Sequence, residues 1–295
     1  MEETNMLEGI HTALITPFRN GEIDEESLRA LIERQIEAGI DGLVPCGSTG
    51  ESATLSHLEH HRVVEIVIEA TAGRVPVIAG AGSNSTREAI EFTMHAKEAG
   101  AQGALLLSPY YNKPTQEGIY EHYAAVAKES GFPTVIYNIP GRTASNISAE
   151  TVGRLARLDS IIGVKEASGD LDQMAHIIAA SPSDFAVVSG DDSLTLPLLA
   201  LGGKGVISTT ANLAPREMCE LVRSARSGDG ASAQAMHYRL LPLFDAIFCE
   251  TNPIPLKAGI AALGWCSDEI RLPLTRLSDR NLEHLKVVMK DLGIS

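Results

Sequence analysis

Residues 161–167 read Ile161-Ile162-Gly163-Val164-Lys165-Glu166-Ala167. The run Ile161–Val164 is apolar without alternation, the pattern of a strand covered on both faces, and it ends on charge. Seven comparable runs flank it: Ile10–Thr16, Gly42–Cys46, Pro76–Ala79, Gly103–Leu107, Thr134–Tyr137, Phe185–Val188 and Gly205–Ile207. Consecutive runs lie about one βα unit apart, and amphipathic stretches with helix start and stop signals fill the gaps. Asp24, Glu25 and Glu26 open one such helix and Gly39 closes it. Ser56 with Glu59, and Ser85 with Glu88, read as capping boxes. Thr115 and Gly131 bracket another helix. Eight strands alternating with helices predict an α/β fold, the (β/α)8 or TIM barrel. A doubly wound open sheet fits less well, because no G-x-G-x-x-G follows the first run. The residues after the eighth run read as wholly helical, broken near their middle by Pro253 and Pro255. The expected organisation is a barrel over residues 1–224 and a C-terminal helical region over 225–295 packed on it, as one compact unit.

Composition narrows the function. The 295 residues carry 24 Lys+Arg against 38 Asp+Glu, a formal charge of −14 and a pI of about 5.1. Phosphate neutralisation needs a basic face, so a nucleic-acid binder is not expected, nor attachment to anionic membranes. Hydrophobic residues at 44% and charged ones at 21% describe a globular chain rather than a disordered one. The stretch Met1–Gly9 is acidic and polar, without a signal-peptide core, and no apolar run reaches membrane-spanning length, so a cytoplasmic protein is expected. Cys46, Cys219, Cys249 and Cys266 are scattered with no C-x-x-C, which fits reduced thiols rather than disulfides or a zinc knuckle.

Active sites of such barrels lie at the C-terminal strand ends. Lys165 is the one lysine of eight that closes an apolar strand run. Burial there disfavours the ammonium form, and a neutral amine is the nucleophile that forms a Schiff base with a keto acid. The alternative is an ion pair with Glu166 or another acid at the strand end. Tyr137, on the neighbouring strand, is either a proton donor and acceptor or an aromatic filling the barrel top. The turn Gly47-Ser48-Thr49-Gly50 offers hydroxyls and backbone N–H groups to a carboxylate, or is a plain βα turn. Arg142 is a bidentate carboxylate clamp or a surface arginine. His57 and His61 stand at i,i+4, a spacing seen in metal sites, but without H-E-x-x-H or a convincing third ligand. Asp191 and Asp192 read equally well as caps, so no metal is expected.

Six segments together resemble the dihydrodipicolinate synthase family: Gly47-Ser48-Thr49-Gly50-Glu51-Ser52, Pro109-Tyr110-Tyr111-Asn112, Tyr137-Asn138-Ile139-Pro140-Gly141-Arg142-Thr143, Gly163-Val164-Lys165-Glu166-Ala167, Ser189-Gly190-Asp191-Asp192 and Asn252-Pro253-Ile254-Pro255. The likeness runs in order along essentially the whole chain. It implies condensation of pyruvate with L-aspartate 4-semialdehyde to 4-hydroxy-tetrahydrodipicolinate, the committed step of the diaminopimelate route to lysine. Pyruvate would be held as an imine on Lys165, with no cofactor. Tyr137 would move the protons in a hydroxyl relay with Ser48 and Tyr111. Thr49 would hold the pyruvate carboxylate, the Ile207 carbonyl would lie near the imine, and Arg142 would take the semialdehyde carboxylate. Tyr111 would come from a neighbouring subunit, which implies a tight dimer within a homotetramer. The family usually has Thr where this chain has Ser48. Serine keeps the hydroxyl but lacks the β-methyl that restricts the rotamer.

The resemblance also implies feedback inhibition by L-lysine at a subunit-interface site made of Ser52, Ala53, His57, His60, Asn84, Glu88 and Tyr110. Glu88 would take the amine and Asn84 the carboxylate. The competing readings are a related 2-keto-acid aldolase, like N-acetylneuraminate lyase or a hydroxy-oxoglutarate aldolase, and a non-catalytic barrel that binds a keto acid. Arg142 argues for a second substrate with its own carboxylate. The presence of both Lys165 and Tyr137 argues against lost catalysis.

Overall fold

The computed structural model describes residues 6–294; residues 1–5 of the acidic N-terminal stretch and residue 295 lie outside it. Eight parallel strands form the sheet: β1 (Gly9–Ala13), β2 (Gly42–Val44), β3 (Ile78–Gly80), β4 (Gly103–Leu107), β5 (Thr134–Asn138), β6 (Ile161–Glu166), β7 (Ala186–Ser189) and β8 (Gly205–Ser208). Their order is β2-β1-β8-β7-β6-β5-β4-β3. A bridge between Leu43 and Val77 closes the ring. Leu43 N–H donates to Pro76 O at 3.0 Å and Gly80 N–H to Pro45 O at 2.8 Å across the same seam. The chain is therefore a (β/α)8 barrel. At the seam of β1 and β8, a Cβ on Gly205 would fall 1.9 Å from the Gly9 carbonyl oxygen, so only glycine lets these strands pair.

Period-two alternation divides the core into two layers. Val135, Tyr137, Leu105, Val188 and Ile207 point into the barrel. Ile136, Val164, Leu106 and Val187 point outward against the helices. Each such fully buried aliphatic side chain contributes about 1.5–3 kcal/mol, so the unbroken apolar runs reflect burial on both faces.

The helices begin where the sequence signals place them, although one expected capping box does not form. In α1 (Glu25–Ala38) Asp24 accepts from Ser27 N–H, and Gly39 closes the helix with a left-handed φ. In α2 (His57–Thr71) the Ser56–Glu59 capping box forms. The box expected at Ser85 and Glu88, before α3 (Thr86–Ala99), does not. The Ser85 N–H that Glu88 would cover donates instead to Ser83 Oγ at 3.0 Å, and Ser83 and His57 take the Glu88 carboxylate. Next come α4 (Gln116–Ser130), the short α5 (Pro140–Thr143), α6 (Ala149–Leu155), α7 (Leu171–Ala180), α8 (Thr195–Ala200) and α9 (Pro215–Arg226).

Beyond the barrel lie α10 (Gly230–Ala246), α11 (Ile254–Ala262) and α12 (Asp279–Asp291). The expectation of a wholly helical tail is corrected here, because residues 264–278 are irregular. The break expected at the prolines is present: α10 ends at Ala246 and α11 begins at Ile254. Pro253 caps α11 and Pro255 occupies its first turn, where a missing N–H costs nothing, so the prolines mark the start of the helix after the break. Asn252-Pro253 and Leu272-Pro273 are cis. Among the described residues no helix is long and apolar enough to cross a membrane. No group of three metal-ligating side chains occurs among them either.

Candidate active site

Strand β6 delivers Lys165 to the C-terminal mouth of the barrel, in register with Tyr137 on β5. Its Nζ lies 4.3 Å from the centroid of the Tyr137 ring, a cation–π distance. Lys165 is 5% exposed, and no carboxylate among the described residues lies within ion-pair distance of it. The next residue, Glu166, faces the opposite side of the strand. Its carboxylate accepts from Asn138 Nδ2 at 3.0 and 3.1 Å, Ser168 N–H at 2.7 Å and Gln173 Nε2 at 3.3 Å. Pairing of Lys165 with Glu166, the bland reading of the strand end, is thereby removed. Asp191 is the acid whose field reaches Lys165. Burial raises its pKa and Lys165 opposes that shift. Room for the lysine depends on Gly190, where a Cβ would stand 2.6 Å from Ala167 Cβ and 3.0 Å from Lys165 Cε.

The turn after β2 is closed by Gly50 N–H to Gly47 O at 3.1 Å and Glu51 N–H to Ser48 O at 3.2 Å. Thr49 is buried. Asn252 Nδ2 donates to its Oγ1 at 3.0 Å, and Thr209 Oγ1 lies 3.5 Å away. On the other side Arg142 Nη2 donates to the Asn252 carbonyl at 2.9 Å. One residue thus ties together the two groups read as carboxylate holders, and its own Oδ1 is buried without a partner. A cavity of about 470 Å³ is lined by Ser48, Tyr137, Arg142 and Asn252. Ile207 lies in β8 at the inner face, buried. Ser48, Tyr137 and Tyr111 share no hydrogen bond within this chain. Tyr111 is 88% exposed, at a left-handed φ of 71°.

The same cavity has a second wall formed by Ser52, Ala53, His57, His60, Glu88 and Tyr110. Asn84 adjoins it, donating from Nδ2 to the Tyr110 carbonyl at 3.2 Å. Glu88 is engaged by His57 Nε2 at 2.9 Å. Burial, with Glu88 adding to it, raises the Tyr110 phenol above its ordinary value. His60 stacks on Phe92 at 4.3 Å, and its Nε2 lies 2.8 Å from Gly80 O. Burial lowers its pKa to about 4, so this ring is neutral at pH 7.

Sequence reasoning assigned no role to three residues at this site. Asn252 appeared only inside a motif. Lys257 pairs with Glu51 at 2.5 Å, both side chains 1% exposed. Arg271 gives its backbone N–H to Glu51 Oε2 at 3.2 Å. A signal for Lys257 was present: it is the lone charge in the apolar helix Ile254–Ala262.

A (β/α)8 barrel with a lysine buried at the end of β6, unpaired among the described residues and beside a strand-borne tyrosine, defines a class, the barrels built for amine chemistry on carbonyl compounds. Comparison with known proteins narrows this class. The model of the dihydrodipicolinate synthetase family matches residues 6–292. A 4-hydroxy-tetrahydrodipicolinate synthase of Syntrophus aciditrophicus is 56% identical over 289 residues, covering 98% of this chain and 99% of the relative. The crystal structure of dihydrodipicolinate synthase from Aquifex aeolicus superposes with a TM-score of 0.96 at 49% identity, covering 98% and 99% of the two chains. A structure of the corresponding protein from Cyanidioschyzon merolae, described as having lysine bound, matches with a TM-score of 0.96 at 42% identity, covering 99% of this chain and 100% of the other. The chain belongs to the dihydrodipicolinate synthetase family.

Proposed function

We propose that this protein condenses pyruvate with L-aspartate 4-semialdehyde to give 4-hydroxy-tetrahydrodipicolinate, acting as a lyase without a cofactor. The observation that carries the reading is Lys165, buried at the barrel mouth, without a carboxylate in ion-pair reach among the described residues and in register with Tyr137. Its amine attacks the pyruvate keto carbon, and water leaves to give the imine. Loss of a C3 proton gives the enamine, with Tyr137 handling protons at the imine and enamine. The enamine carbon attacks the aldehyde of the second substrate. The amino group of that substrate then closes the ring on the imine carbon and expels Lys165. Thr49 and its turn hold the pyruvate carboxylate, Arg142 holds the semialdehyde carboxylate, and Ile207 presents its carbonyl near the imine. Ser48 and a partner subunit's tyrosine at position 111 complete the relay. The exposure of Tyr111 supports this, since an outward aromatic with no contact to the relay in its own chain suits a subunit boundary within a tetramer.

The second wall of the cavity supports lysine as inhibitor. Glu88 with His57 suits an ammonium group, and the wall adjoins Ser48 and Tyr137 directly. Borohydride reduction with pyruvate, read by intact mass, tests the chemistry. An adduct of one reduced pyruvyl group, absent in Lys165→Ala, is expected, followed by turnover with L-aspartate 4-semialdehyde. A folded protein without an adduct moves the assignment to a keto-acid-binding barrel. Adduct without turnover on this aldehyde moves it to a related aldolase. Lysine in the assay, with Glu88→Ala as control, tests the inhibitor site.

A further inference from the structure

We infer that the buried Glu51–Lys257 ion pair, braced by Arg271, positions the turn of Ser48 and Thr49 for pyruvate, so that helix α11 acts as the template of the carboxylate subsite; this rests on the reading of Thr49 as the holder of the pyruvate carboxylate.

Glu51 ends the turn with a φ of 54°, a left-handed conformation that a side-chain-bearing residue keeps only where its surroundings hold it. The holders come from the region beyond the barrel. Lys257 Nζ contacts Glu51 Oε1 at 2.5 Å, and Arg271 N–H reaches Oε2 at 3.2 Å, so both carboxylate oxygens are occupied. Phe18 fixes the cations from one side: Lys257 Nζ lies 4.1 Å and the Arg271 guanidinium 4.2 Å from its ring centroid. Arg271 also grips the chain just after the turn, donating to the Thr54 carbonyl at 3.0 Å and to the Glu59 carboxylate at 2.5 and 3.0 Å. Asn252, just before α11, donates to Thr49 Oγ1. With one lone pair taken by that amide, the Thr49 hydroxyl is directed to donate elsewhere. Helix α11 and the residue before its cap thus touch the turn at Thr49 and Glu51, two residues apart, through one hydrogen bond and one ion pair. Among the described residues the side chains of Glu51 and Lys257 are engaged with each other, Arg271 and Phe18 and form no ion pair or hydrogen bond with Lys165, so the pair acts through the turn rather than on reacting atoms.

A pair placed only for charge balance and a pair that sets geometry respond differently to its removal. A single substitution such as Lys257→Met strands a buried carboxylate and destabilises the fold, whichever role holds. The double variant Glu51→Gln with Lys257→Met strands no charge. Steady-state kinetics of this double variant is the test, with Lys257→Arg as the variant that keeps the charge and alters the geometry. The expected result is a rise of about tenfold or more in KM for pyruvate in both, with kcat and KM for the aldehyde changed less than about threefold. A folded double variant with native KM for pyruvate overturns the inference. So does native KM in Lys257→Arg if the double variant does not fold. Borohydride trapping on the wild type separates the two claims. No adduct there removes the reading of the site, whereas an adduct with unaltered KM in the variants removes this inference alone.

Discussion

Two lysines are buried in this molecule, and their surroundings differ in the one feature that decides what a buried amine does. Lys257, 1% exposed in α11, has a carboxylate at 2.5 Å. Burial lowers its pKa and Glu51 works against that shift. Lys165, 5% exposed at the end of β6, has an aromatic face beside it and no carboxylate within ion-pair reach among the described residues. A paired ammonium is held in place and its lone pair is unavailable. A lysine without a carboxylate beside it, at the end of a barrel strand, keeps the option of bonding carbon. Burial alone does not single out a nucleophile, since both lysines are buried; the absence of a partner does.

The sharpest way to break this comparison is to remove each lysine in turn. Lys165→Ala is expected to lower turnover by at least about a thousandfold, with the melting temperature unchanged or raised, since no partner is stranded. Activity assays and calorimetry on the same sample check it, and retained turnover ends the contrast. Lys257→Ala should do the reverse, costing about 3–5 kcal/mol of stability in urea unfolding because Glu51 is left buried and charged. An unaffected midpoint would show the pair to be dispensable.

Acid sharpens the comparison from the Lys257 side. The hydrogen bond from Arg271 holds the Glu59 carboxyl down to about 2, against an ordinary value of 4.5. A depressed carboxyl contributes stability that is present above pH 4.5 and lost as the pH falls towards 2. The contribution is up to about 3 kcal/mol, from 1.36 kcal/mol per unit. Wild type should therefore exceed Glu59→Gln in stability at pH 6, and the gap should close as unfolding is repeated down to pH 2.5. A constant gap contradicts this linkage. The smallest expected effect concerns the room left for Lys165. Gly190→Ala places a Cβ 3.0 Å from Lys165 Cε, so imine formation should slow by about tenfold while the Lys257 region keeps its stability. Stopped-flow trapping with pyruvate reads the rate, and a native rate shows that the lysine stem yields freely.

The alternation of fully apolar runs with capped amphipathic stretches made the barrel legible, because strands buried on both faces and helices buried on one leave different periodicities. The position of Lys165 at a strand end was legible for the same reason. Its freedom from Glu166 was only half legible. Adjacent strand residues face opposite ways, but the claim of Asn138, Ser168 and Gln173 on that carboxylate depends on three separate segments. The failed capping box at Ser85 shows the limit from the other direction. The local pattern was right, yet Ser83 and, across α2, His57 took Glu88. Asn252, Lys257 and Arg271 left the faintest trace, one charge in an apolar helix, because their partners lie about two hundred positions away in the chain.

Sequence alone determined the succession of strands and helices, the acidic composition that excludes nucleic acid as the expected partner, and the strand-end placement of Lys165, Tyr137, Thr49 and Arg142. These follow from periodicity and local hydrogen bonding, which act over a few residues. Only the tertiary structure decided which buried lysine is paired, that Asn252 joins Thr49 to Arg142, and that the region beyond the barrel grips the turn at Glu51. Charge pairing and desolvation act through space, so the partner of a buried group is settled by which segments the closed barrel brings together.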